Sequence, residues 1–120
     1  MCLNFGVHYI ATRAKEIHST LGKVTQDKTT TAVVQGTNAS GKKVTLVASS
    51  ENALRPAQRN ALKRGETAVT GAGHAEVTGI NAAREMGLKN LKVAASRPIC
   101  PNCAKVIQES GADSVSKLKP

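Results

Sequence analysis

Aromatic side chains are almost missing from this 120-residue chain, which has one Phe, one Tyr and no Trp. Sequence-tolerant binders of single-stranded nucleic acid stack successive bases on several aromatic rings. Phe5 and Tyr9 alone cannot form such a platform. Acidic residues are also scarce. Seventeen Lys/Arg stand against eight Asp/Glu, a formal charge of +9. That balance favours a polyanionic partner such as nucleic acid over the bland alternative of a basic protein with none. No apolar run reaches the roughly 18 residues that would suggest a membrane span, and the start of the chain shows no charged-then-apolar signal pattern. Cysteines number three, two of them in a C-x-x-C. An odd, small count argues against a disulfide framework and for metal or redox use in a reducing compartment.

What the chain does have suits one small α/β domain spanning residues 1–120. Hydrophobic residues make up 40% of it. They are mostly small, so the expected core is modest, with closely packed helices over a sheet. Val7, Ile10, Ala14, Ile17 and Leu21 recur at helical spacing, with Arg13, Lys15 and Glu16 expected at the surface and Gly22 as the stop. Residues 30–35 and 43–49 are β-branched runs flanking the turn cluster Thr37-Asn38-Ala39-Ser40-Gly41, which predicts an antiparallel hairpin. Helices are expected over 52–64, 74–86 and 101–110, a strand over 91–96 and a short last strand near 114–117. The order α, β, β, α, α, β, α, with a final β, implies a mixed sheet covered on both faces.

Two residue groups carry the chemistry. His74-Ala75-Glu76 opens one predicted helix, and Cys100-Pro101-Asn102-Cys103 opens the next, with one strand between them. One imidazole and two thiolates make three ligands for tetrahedral zinc, leaving a fourth position for water. Helix starts point unpaired N–H groups at such a site and lower thiol pKa, which favours the metal-binding thiolate. Pro98 and Pro101 stiffen the approach, and Pro101 suits a first helical position. Glu76, two residues from His74, is placed to move protons on the bound water. Two other readings stay open on the residues alone. C-x-x-C can be a redox pair, though that would need neither His74 nor Glu76. It can also be half of a closed structural zinc site, for which Cys2, His8 and His18 are the remaining ligand candidates.

The combined pattern resembles the cytidine-deaminase-like zinc deaminases, whose signature is H-x-E followed by P-C-x-x-C. Here Ile99 separates the proline from the first cysteine. Gly73-His74-Ala75-Glu76 with Arg97-Pro98-Ile99-Cys100-Pro101-Asn102-Cys103 looks closest to the deaminase domains of bacterial polymorphic toxins. The resemblance implies a three-layer α-β-α fold with a mixed sheet and both motif helices on one face. It implies His74, Cys100 and Cys103 as Zn2+ ligands and Glu76 as the proton shuttle. The implied reaction is hydrolysis of cytosine to uracil by water added at C4, on a base flipped out of the stack. Ser96 and Arg97 precede the cysteines where the family lines its base pocket, and Ala75, Asn38 and Asn52 are further pocket candidates. The resemblance also implies a toxin domain delivered in a larger secreted protein into a target-cell cytoplasm. There it would meet an acidic immunity protein.

Charge bears on the substrate. Arg55, Arg59 and Lys63 fall at i, i+4 and i+8 of the helix expected over 52–64, and Arg64, Lys42 and Lys43 add to the basic inventory. Such a stripe suits phosphate contacts, and its plain alternative is a solvated helix face. DNA, duplex or single-stranded, is the expected substrate, acted on by a monomer. RNA, free cytidine, adenine as the reacting base, and a non-enzymatic basic module with structural zinc are the alternatives.

Overall fold

A computed structural model describes residues 5–51, 53–71, 73–96 and 101–114 of the chain, by backbone course alone at 5–8, 101–103 and 114. It is a mixed α/β protein. Its elements are α1 (Phe5–His18), α2 (Lys23–Lys28), β1 (Thr31–Thr37), β2 (Lys43–Ser49), α3 (Pro56–Asn60), β3 (Glu66–Ala68), α4 (Ala75–Glu85), β4 (Lys89–Ala95), α5 (Pro101–Glu109) and β5 (Asp113–Ser114). No helix among the described residues is long and apolar enough to cross a membrane.

The five-stranded sheet runs β3-β2-β1-β4-β5. β1 is antiparallel to β2 and β4, whereas β2–β3 and β4–β5 are parallel pairs. It follows that β2 to β5 all point one way and β1 alone opposes them. The carboxyl ends of those strands share one edge of the sheet, and α3, α4 and α5 each follow a strand that ends there. The crossover direction reverses at β3, and the covering helix changes face with it, as a constant crossover hand requires.

Strand alternation builds one core on each face. The cross-strand row Val33, Val47 and Ala94 packs against Ile10, Ala14 and Ile17 of α1. The next row, Val34, Leu46 and Val93, packs against Ile80 and Ala83 of α4 and Ile107 of α5. Fully burying each of the larger aliphatic side chains contributes about 1.5–3 kcal/mol. Small residues let α4 lie close to the sheet. A Cβ on Gly79 would come within 2.5 Å of Val34 Cγ2.

The β1–β2 hairpin forms as expected. Asn38 Oδ1 accepts from the Ser40 and Lys42 N–H groups at 2.9 and 3.0 Å, and Gly41 takes the left-handed conformation that closes the turn. Helices start at Ala75 and Pro101, close to expectation, and β2 matches its predicted span.

Other expectations fail for physical reasons. The helix expected over 52–64 shrinks to Pro56–Asn60. Proline holds the preceding Arg55 extended, and the chain then descends to β3, which sequence patterning did not indicate. The first helix ends at His18 rather than Leu21, and the short α2 follows. A last strand is present at Asp113–Ser114, and residues 115–117 of its expected span lie outside the described residues. Arg13 is buried, not at the surface. Its Nε and Nη2 donate to both carboxylate oxygens of Glu66 at 2.7 and 2.8 Å, Nη2 also reaches the Ala61 carbonyl, and Nη1 reaches Glu16. Tyr9 OH and the Lys63 N–H complete the shell around Glu66. Burial works to raise the Glu66 pKa, but hydrogen bonds from Arg13, Lys63 and Tyr9 outweigh it and lower the value to about 2. Burial, then the Glu66 hydrogen bond, pushes the Tyr9 pKa up.

Candidate functional site

The carboxyl edge is where a ligand fits an open α/β sheet, because strands end and helices begin there with free N–H groups. Polar groups cap this edge. Ser96 N donates to the Thr31 carbonyl at 2.8 Å, and Thr31 N donates back to Ser96 Oγ at 3.0 Å. Ser50 does the same for Thr30, its Oγ accepting from Thr30 N at 2.8 Å. Beneath them on the α1 face, Thr31 Oγ1 accepts from Gln58 Nε2 and pairs with His18 Nδ1. His18 Nε2 donates to the Gln26 carbonyl at 2.9 Å. Gln58 Oε1 accepts from Arg55 N at 3.0 Å. His18 is therefore used inside the fold.

The motif helices start at this edge on the opposite face. His74 is the N-cap of α4, exposed, with extended backbone and no side-chain capping bond. Its imidazole is not spent on the helix. Glu76 sits in the first turn and is 4% exposed. α5 starts at Pro101 after β4 has ended at the same edge, and α4 and α5 share one core through Ile80, Ala83 and Ile107. Cys103 thus falls in the first turn of α5. Cys100, Arg97 and Asn52 lie outside the described residues, and of Cys103 the backbone alone is described. Among the described residues, no three His, Cys, Asp or Glu side chains come together to hold a metal. The donor set of the motif still fits zinc: one imidazole left free by its helix, with two cysteines at the start of the neighbouring helix.

Several expected contacts do not belong to this edge. Asn38 is consumed by the hairpin turn, with Lys42 and Lys43 beside it. That turn is at the far end of β1, about 20 Å from Thr31 over six strand steps. None of the three stands at the carboxyl edge. Arg55, Arg59 and Lys63 do not form one helical stripe, because Arg55 precedes α3 and Lys63 follows it. Arg55 makes a two-pronged pair with Glu51, both contacts 2.8 Å. Arg59, Lys63 and Arg64 remain exposed. Ala75 is fully buried under α4, so it can offer a ligand only backbone. Ser96 stands at the edge with its Oγ accepting from Thr31.

Sequence reasoning passed over Thr78 and Asn81. With His74 they fall at i, i+4 and i+7, one face of α4, a spacing that would have singled them out. No known protein family, curated protein or solved structure matches the chain.

Proposed function

We propose that this protein is a zinc-dependent cytosine deaminase of the three-layer cytidine-deaminase-like fold, acting on DNA as a toxin effector domain. The observation that supports it is the coincidence of two helix starts. His74 and Glu76 open α4 and Cys103 opens the adjacent α5, both at the carboxyl edge of the sheet.

His74, Cys100 and Cys103 would hold the metal, and zinc so bound supplies a Lewis acid that makes water nucleophilic near neutral pH. Glu76 does the proton work. Its carboxylate takes a proton from the attacking water and delivers it to cytosine N3. A second proton from the same water goes to the departing amine, so cytosine and water become uracil and ammonia. Burial of Glu76 in the first turn keeps bulk water from short-circuiting that relay. The excess of Lys/Arg over Asp/Glu draws a polyanion to the domain, and exposed Arg59, Lys63 and Arg64 supply part of that field. With two aromatic residues in the chain, backbone charge and a single base pocket carry recognition. A partner protein that blocks such a domain would be acidic.

The test is direct. Zinc-loaded protein is incubated with cytidine, single-stranded DNA, duplex DNA and RNA, and C-to-U change is read by sequencing or chromatography. The proposal expects conversion in DNA and none in Glu76→Ala, which should keep zinc and fold. Conversion of free cytidine alone would remove the nucleic-acid reading. Zinc bound without turnover on any substrate would favour a structural metal.

A further inference from the structure

On the flank of α4 opposite α5, the segment after β3 and the helix enclose an open cavity of about 220 Å³, lined by Thr70, Gly71, Thr78, Asn81, Ala82 and Glu85. Thr78 is 6% exposed, and its Oγ1 is the one buried side-chain polar atom among the described residues with no hydrogen-bond partner. A helical threonine normally satisfies its hydroxyl on the carbonyl one turn back. Here the Thr78 backbone N–H bonds the His74 carbonyl at 3.0 Å, while the hydroxyl is left without a partner. Leaving such a group buried and unpaired is unfavourable, so its persistence needs an explanation. Gly71 makes the close approach possible, since a Cβ there would meet Thr78 Cγ2 at 2.9 Å.

We infer that this cavity is a subsite for the base next to the reacting cytosine, an inference that rests on the deaminase reading above. The chemistry of the walls selects the ligand class. Glu85 places a carboxylate at the cavity and no Lys or Arg lines it, which excludes a phosphate. An amide, two hydroxyls and a carboxylate, with the Ala82 methyl beside them, match a flat neutral ring bearing an amino group. Asn81 can pair with adenine at N6 and N7 together, Glu85 can accept from an exocyclic amine, and Thr78 Oγ1 gains its missing partner. Thymine would set a carbonyl against that carboxylate. The position suits a neighbouring nucleotide, because Thr78 is one helical turn, about 6 Å along the axis, from His74.

Two readouts test it with the whole protein. In the first, DNA with a single cytosine between randomised neighbours is deaminated by wild type, Thr78→Val and Asn81→Ala. Adenine should be enriched at one neighbour of the converted cytosine. Both variants should flatten that preference about tenfold or more. In the second, backbone amide shifts of the Glu76→Gln protein are followed by NMR as a trinucleotide carrying adenine beside cytosine is added. Saturable shifts at Gly71, Thr78 and Asn81 are expected, and they should vanish when that adenine is replaced by an abasic sugar. Conversion with no adenine preference, or with a preference unchanged in both variants, overturns the subsite and leaves the deaminase standing. Shifts at the cavity without any conversion by wild type would leave a base-binding cavity but overturn the deaminase, and with it the cavity's role beside a reacting cytosine.

Discussion

The two faces of the sheet are built on different principles. On the α1 face, buried polar groups do the fixing: Arg13 and Tyr9 on Glu66, and His18 and Gln58 on Thr31. On the α4 face, small and aliphatic residues do it: Gly79 against Val34, and Ile80, Ala83 and Ile107 over Leu46 and Val93. The motif residues belong to the second face, where chemistry-bearing groups stand at helix starts and the packing beneath them is apolar. Directional bonds thus specify how the chain is assembled on one side, and close contact holds the candidate site on the other.

The comparison breaks first at Arg13. Arg13→Ala leaves the Glu66 carboxylate buried without its cation, and loss of one partner from a buried pair costs about 3–5 kcal/mol. Chemical denaturation measures it, and a loss below ~1 kcal/mol would mean that the polar network does not hold the α1 face. Gln58→Leu should cost less, about 1–3 kcal/mol, because it strands Arg55 N–H and removes one donor from Thr31. On the other face, Gly79→Ala improves helix propensity by up to ~1 kcal/mol but forces a methyl onto fully buried Val34, so a net loss of about 1–2 kcal/mol is expected. A stabilised variant would show that α4 can back away from the sheet.

Acid separates the faces further. The folded Glu66 pKa, about 2, lies below the ordinary value of 4.5. The unfolded chain therefore takes up the proton first as pH falls, and this contribution is complete above 4.5 and is lost between there and about 2. Stability measured across that window should fall, and Glu66→Gln should flatten the fall. An identical acid limb in the variant would remove Glu66 as its source. The smallest effect belongs to the exposed Glu51–Arg55 pair. Glu51→Gln should leave the unfolding midpoint unchanged within error, since exposed pairs contribute little.

Sequence patterning read the α4 face and the apolar stripe of α1 well but missed the buried polar network of the α1 face. The hairpin was legible because Asn38 and Gly41 carry local turn chemistry. The starts of α4 and α5 were legible from the motif residues and Pro101. Arg13 was misread because its partner is 53 residues away, and no local pattern reports a pairing at that distance. The helix expected over 52–64 was misread at its start because Pro56 holds Arg55 extended, and β3 was missed, its Glu66 pairing with Arg13 and Tyr9 across more than 50 residues. In the candidate site, His74, Glu76 and the cysteines were recognisable by residue type and spacing. The spacing of His74, Thr78 and Asn81 could also be read, but the unpartnered Thr78 hydroxyl is a property of packing, seen only once Gly71 lies against α4.

X-ray absorption at the zinc edge of purified protein most directly tests the proposed metal at the carboxyl edge. One equivalent of zinc is predicted, with two sulfur scatterers at about 2.3 Å and the rest nitrogen or oxygen at about 2.0 Å, and His74→Ala should remove the imidazole signature. Protein without stoichiometric zinc, or zinc enclosed by four protein ligands with no water, would contradict it.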